Sequence, residues 1–128
     1  YKVLFLQGGA TAQFALLPMN FAAADQAADY VVTGAWGEKA VKEAKTLCAA
    51  RIAASSEASN FTTVPAVADW QLSDNAAYLH VTPNETIHGV EFYDLPAQSA
   101  PVFADMSSTI LSRDIRATWS LARKSAPR

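Results

Sequence analysis

Twice in its opening stretch the chain sets a short apolar run, a glycine turn and a segment of helical spacing in that order, and nothing else in it constrains the fold as much. A strand whose following helix carries the chain back pairs most readily in parallel with the next strand, so this order predicts an α/β layer architecture with a mostly parallel sheet. Val3 to Leu6 is the first run, ending at Gly8-Gly9. It predicts a strand buried on both faces. Because the run starts almost at the first residue, with no methionine before it, the chain is expected to lack a preceding part. Gln13 to Phe21 predicts a short helix that Pro18 bends or breaks.

Asp29 to Thr33 predicts the second strand, with Gly34-Ala35-Trp36-Gly37 as its loop. Glu38 to Ala50 predicts the clearest helix: Ala40, Val41, Ala44, Leu47 and Cys48 fall at helical spacing. Glu38–Lys42 and Lys39–Glu43 are opposite charges four residues apart, expected on a solvated face. Arg51 to Ser55 predicts a third strand and Asp69 to Leu72 a brief helical turn. Ala77 to Thr82 predicts a strand closed by Pro83, Gly89 to Phe92 a minor strand, and Pro101 to Asp105 a buried strand ending in a carboxylate. From Asp114 onward, Arg116, Arg123, Lys124 and Arg128 stand among Ala, Ser and Thr without a clean period.

Composition narrows the function classes. Hydrophobic residues make up 51% and charged residues 17% of the 128, which fits a packed domain rather than disorder. A formal net charge of −2 argues against a nucleic-acid footprint spread over the sequence, though a local phosphate site built from backbone amides remains open. No apolar stretch approaches the roughly 20 residues a membrane helix needs. Cys48 is the only cysteine, so neither an internal disulfide nor a thiolate metal cluster is expected, and a reducing compartment suits it. His80 and His88 lack the companions of a metal site.

In parallel sheets ligands collect beyond the carboxyl ends of the strands, and Gly8-Gly9, Trp36, Thr86 and Asp105 all follow strand-like runs. Gly8-Gly9-Ala10-Thr11 can cradle a phosphate with amides at a helix N-terminus, though taken alone the order favours a plain tight turn. Asp105 can serve as a carboxylate paired with a ligand cation, though its spacing alone favours a helix cap or turn aspartate followed by capping hydroxyls at Ser107, Ser108 and Thr109. Trp36 suits stacking on a planar ring, or plain packing. Asn84-Glu85-Thr86 offers an amide and a hydroxyl in a loop and has the form of a glycosylation acceptor, with no sign of secretion beside it.

Read together, several segments resemble the phosphoserine aminotransferase family, a branch of the fold-type I pyridoxal-phosphate enzymes. They are Gly8-Gly9-Ala10-Thr11-Ala12-Gln13-Phe14 with Pro18-Met19-Asn20, Ala28-Asp29-Tyr30-Val31 through Gly34-Ala35-Trp36, and Lys42-Glu43-Ala44-Lys45. Asn75-Ala76-Ala77-Tyr78, Pro83 through Val90, Ala104 through Ser108 and Ile110-Leu111-Ser112-Arg113 complete the series in order. The resemblance implies that residues 1–113 are part of the large, mostly parallel-sheet, cofactor-binding domain of a fold-type I aminotransferase, with 114–128 a divergent tail. It implies pyridoxal phosphate as cofactor, with Ala10 and Thr11 at its phosphate, Trp36 stacked on its pyridine ring, Thr86 at its phenolic oxygen and Asp105 at its pyridinium nitrogen. For the parent it implies transfer of an amino group from glutamate to 3-phosphohydroxypyruvate in L-serine biosynthesis, phosphoserine and 2-oxoglutarate as the products, a homodimer and the cytoplasm.

The family's Schiff-base lysine lies in an Ala-Gln-Lys-Asn context after a further strand. Here Ala122-Arg123-Lys124-Ser125 echoes that context several residues early and without the strand, so Lys124 is a candidate and the chain as given is expected not to catalyse. Lys39, Lys42 and Lys45 are expected on a solvated face. Two other readings stand beside this one: a non-catalytic α/β interaction fragment with sticky sheet edges, and a piece of another fold-type I aminotransferase or desulfurase.

Overall fold

The computed structural model describes residues 2–23, 25–95, 99–113 and 116–117. Among these residues two α-helices, α1 (Gly9–Phe21) and α2 (Ala35–Ala44), and two single 3-10 turns accompany eight strands: β1 (Ala27–Val32), β2 (Ala49–Ser55), β3 (Tyr78–Val81), β4 (Asn84–Glu85), β5 (Val90–Glu91), β6 (Asp94–Leu95), β7 (Val102–Ala104) and β8 (Arg116–Ala117). The main sheet has the order β2-β1-β3-β7 with every pair parallel, as the strand–turn–helix order requires. β4 and β5 form a small antiparallel ladder, and β6 pairs in parallel with β8.

The two central strands, β1 and β3, are buried on both faces. Ala28, Tyr30 and Val32 of β1 and Tyr78 of β3 pack beneath Phe14 of α1 and Ala40, Val41 and Ala44 of α2. The residues between them, Val31, Leu79 and Val81, form a second cluster with Phe92, against which Trp70 packs. This alternation follows from the two-residue repeat of a strand. Within the first cluster the Tyr30 and Tyr78 hydroxyls meet at 2.6 Å, so two phenols are buried as a satisfied pair. Burial pushes the Tyr78 phenol up to about 12 and Tyr30 higher still, which keeps both neutral.

Several expectations need correction. Val3 to Leu6 is not a buried strand; it pairs with no described strand, and Phe5 is 97% exposed. An apolar run becomes a strand only where a neighbour supplies its hydrogen bonds, and the described sheet offers none. α1 begins four residues before the expected helix and continues through Pro18, which is buried. Ala22 N–H closes the helix on the Pro18 carbonyl at 3.1 Å. α2 begins three residues early and stops at Ala44, because Ala49 and Ala50 are drawn into the sheet opposite Ala27 and Ala28. The Glu38–Lys42 and Lys39–Glu43 charges close no ion pair; among the described residues the ion pair that forms is Arg113–Glu91. No helix of the described residues is long and apolar enough to cross a membrane. The tail 114–128 lies almost wholly outside the described residues.

Candidate functional site

The carboxyl ends of β1, β3 and β7 share one rim. β1 hands over through Thr33-Gly34 to α2, β3 leads through Thr82-Pro83 into β4, and β7 is followed directly by Asp105, whose N–H continues the ladder to the Val81 carbonyl at 3.0 Å. A cavity of about 320 Å³ opens there. Ala10, Thr11, Trp36, Thr86 and Asp105 all line it, so the structure brings every one of the five expected cofactor-contact positions together.

The α1 side is shaped by Gly8, which sits at φ 99°. A Cβ there would lie 2.4 Å from the Ala12 Cβ, so only glycine turns the chain into the helix at this point. No side chain caps α1 and its first turn holds no acidic residue. The first-turn amides therefore keep their capacity for an anion, with the positive end of the helix dipole behind them.

On the opposite wall Asp105 accepts hydrogen bonds at Oδ1 from Ser107 N–H at 3.1 Å and the Ser107 hydroxyl at 2.5 Å. Among the described residues nothing donates to Oδ2. Asp105 is thus a turn aspartate and a rim carboxylate at once. Asn84 donates to the Ser108 hydroxyl at 3.0 Å, fixing the loop beside it. Thr82 adds a buried hydroxyl that lines the cavity without a partner among the described residues.

Trp36 lies in the first turn of α2 rather than in a loop. Its indole N–H donates to the Thr86 hydroxyl at 3.0 Å. Lys39, expected on the solvated face, instead turns toward α1: its ammonium donates to the Thr11 hydroxyl at 3.3 Å and lies 5.8 Å from the Trp36 ring centre. Lys42 and Lys45 are exposed as expected. Lys124 lies outside the described residues.

Two residues escaped the sequence reading. Glu85 is completely buried and accepts the Trp36 N–H at 3.0 Å and the Gly37 N–H at 2.7 Å. Burial raises its carboxyl above the ordinary range, while the two amides and His88 pull it back. The Asn84-Glu85-Thr86 order held the only local hint. His80 lines a second cavity, under α1, that also touches Asp105. Its Nδ1 has no partner among the described residues, and burial lowers the imidazole to about 4 against the pull of Asp105. It is therefore neutral. Among the described residues no cluster of His, Cys, Asp and Glu could hold a metal.

A family model, Aminotransferase class-V, matches residues 1–118. The chain belongs to this family. Among proteins similar to this class-V aminotransferase chain, a phosphoserine aminotransferase from Stenotrophomonas maltophilia (strain K279a) is 59% identical over 116 residues, covering 90% of this chain and 32% of the relative. The solved phosphoserine aminotransferase from Bacillus circulans subsp. alkalophilus superposes with a TM-score of 0.85 at 57% identity, covering 88% of this chain and 31% of that one. A phosphoserine aminotransferase from Trichomonas vaginalis, solved with pyridoxal phosphate bound, superposes with a TM-score of 0.79 at 40% identity, covering 89% and 32%. The chain thus spans about a third of the length of the curated relatives it matches. The expected fold, part of a fold-type I aminotransferase sheet domain, is borne out by these neighbours and by the parallel sheet.

Proposed function

We propose that the rim cavity is a pyridoxal-phosphate site and that the chain carries part of the cofactor-binding surface of a phosphoserine aminotransferase. The observation that carries this is the convergence on one cavity of an uncapped helix N-terminus, an indole and a carboxylate with a spare oxygen. These three suit the three chemically distinct parts of that cofactor: phosphate, aromatic ring and pyridinium nitrogen. When bound, pyridoxal phosphate supplies an aldehyde that can carry an amino group and a ring that draws electrons from a substrate's α-carbon.

The chain's own residues hold and orient. Ala10 and Thr11 amides, with Lys39 beside Thr11, favour the phosphate end. Trp36 offers a flat face whose indole N–H is accepted by Thr86, and the Thr86 hydroxyl keeps its own O–H to donate to a ring oxygen. Asp105 Oδ2 holds a proton on the ring nitrogen, since a carboxylate beside it favours the charged form. The Thr82 hydroxyl adds an unused polar atom to the same wall.

By this reading the whole parent moves an amino group from glutamate to 3-phosphohydroxypyruvate, giving phosphoserine and 2-oxoglutarate in L-serine biosynthesis, as a cytoplasmic homodimer. By the same reading the 128 residues alone are expected to bind without turning over: among the described lysines Lys39 is engaged with Thr11, while Lys2, Lys42 and Lys45 are exposed. Lys124, in the proposed divergent tail 114–128, is the remaining candidate for the amine. Borohydride reduction in the presence of pyridoxal phosphate, followed by peptide mapping, tests this. Scattered or absent labelling is expected; one dominant adduct at Lys124 that fades in Asp105→Asn would show a working remnant site instead.

A second reading, an interaction fragment, is favoured by the exposure of Val3, Leu4, Phe5 and Leu6 together with Leu16 and Met19 of α1. It predicts association that rises with concentration and ignores Asp105→Asn.

A further inference from the structure

Glu85 and Thr86 are neighbours in sequence, and they grip the same tryptophan from two sides. The Glu85 carboxylate takes the Trp36 and Gly37 backbone N–H groups at 3.0 and 2.7 Å, while Thr86 takes the indole N–H at 3.0 Å. Space has been cleared for the carboxylate. A Cβ on Gly34 would lie 2.7 Å from Glu85 Cδ and Oε2, and one on Gly37 would lie 3.2 Å from Oε1. His88, three residues on, accepts the Ala35 N–H at 3.4 Å.

An ordinary helix cap does not require this arrangement. A serine or aspartate at the cap position could in general satisfy the same amides locally, with no carboxylate from elsewhere in the chain. Here the acceptor instead comes from 49 residues away and is fully buried, which costs an ionised carboxylate much of its hydration. The rise in the Glu85 carboxyl above its ordinary range is that cost. What the remote acceptor adds is register between β4 and the first turn of α2, and hence a fixed place for the Trp36 ring at the cavity wall.

We propose that Glu85 is a positioning residue: by clamping the first turn of α2 it sets the plane of the Trp36 indole against which a flat, phosphorylated pyridine ligand stacks. The proposal rests on the reading of the cavity as a cofactor site. Thr86 alone leaves the indole free to swing about one hydrogen bond; the two backbone bonds to Glu85 remove that freedom.

Amide hydrogen exchange on the whole chain reads the clamp without any ligand. Trp36 and Gly37 are first-turn amides with no intrahelical acceptor, so their protection at neutral pH reports Glu85 directly, and it is expected to fade on acidification as the carboxyl takes up its proton. Glu85→Gln keeps the volume but turns an NH2 group toward one of the two amides. Exchange at Trp36 or Gly37 should then rise about tenfold while Tyr30 and Val31 of β1 stay unchanged, and the Trp36 indole N–H resonance should move. Pyridoxamine phosphate, which needs no lysine adduct, serves as the ligand probe, read by the quenching of indole emission that Trp36→Phe removes. Its apparent Kd should rise about tenfold in Glu85→Gln.

Unchanged exchange and an unmoved indole in Glu85→Gln overturn the proposal. Faster exchange with unaltered pyridoxamine phosphate affinity also overturns it, leaving Glu85 a cap and nothing more. Should Glu85→Gln not fold, the unsubstituted chain decides: Trp36 and Gly37 amides unprotected at neutral pH sink the clamp. If those amides are protected but the unsubstituted chain takes up no pyridoxamine phosphate, the cofactor reading fails and takes the positioning role with it, a result told apart by the intact clamp.

Discussion

Single side chains already divide the molecule into parts that hold it together and parts whose polar atoms are left facing the rim cavity. The Tyr30 and Tyr78 hydroxyls satisfy each other at 2.6 Å deep in the sheet. Tyr78→Phe leaves one phenol buried without a partner and should cost about 1–3 kcal/mol, measurable as a lower midpoint in urea with an unchanged slope. Asp105 is the opposite case. Its Oδ1 is spent on Ser107, but its side chain is only half-buried and supports no core. Asp105→Asn should therefore leave the urea midpoint within about 0.5 kcal/mol of the unsubstituted chain. The same change should weaken pyridoxamine phosphate by about tenfold or more, because a carboxamide no longer favours the protonated ring nitrogen. Equilibrium titration of both variants separates the two classes.

Elements show where local sequence was sufficient and where it was not. β1, β2 and β3 fall close to their expected places because apolar, β-branched and aromatic runs bounded by polar turns carry their own signature. The start of α2 could not be read locally: its cap is Glu85, far along the chain, and the Gly34-Ala35-Trp36-Gly37 order looks like a loop until that carboxylate arrives. Val3 to Leu6 misled for the converse reason. Hydrophobicity announces a strand but does not supply the neighbour that would pair with it. Trp36, Thr86 and Asp105 were legible because they follow strand ends, and Ala10 and Thr11 because they follow a glycine pair at a helix start, whereas Glu85 and His80 were not, since a buried polar group shows itself only through its surroundings. For α1 the decisive residue is Gly8. Gly8→Ala places a side chain at φ 99° and 2.4 Å from Ala12, so the helix start should shift or unwind at a cost of about 1–3 kcal/mol. Loss of helical circular dichroism with retained sheet signal would mark it.

At the scale of the whole molecule, pH sets the stability through groups held out of water. Burial keeps His80 neutral down to about 4, against an ordinary value of 6.5. Between those values the unfolded chain binds a proton that the folded chain refuses, so stability falls as pH falls, by about 3 kcal/mol at the lower end. Glu85 has the opposite sign. Its raised carboxyl takes up a proton more readily in the folded state, which offsets part of the loss on the acid side. Thermal melts between neutral pH and pH 4.5 should show a shallower acid slope in His80→Phe and a steeper one in Glu85→Gln.

Both helices begin at the same rim, and each presents a positive end there. The chain has plugged one of these ends with its own Glu85 carboxylate and left the other, at Gly9 to Thr11, open. The rim is in that sense a keyed socket. If the rim is the cofactor site proposed above, a molecule with one anionic end and one flat end meets one uncapped helix end among the described residues, so its heading on entry is set before any side chain reads its identity.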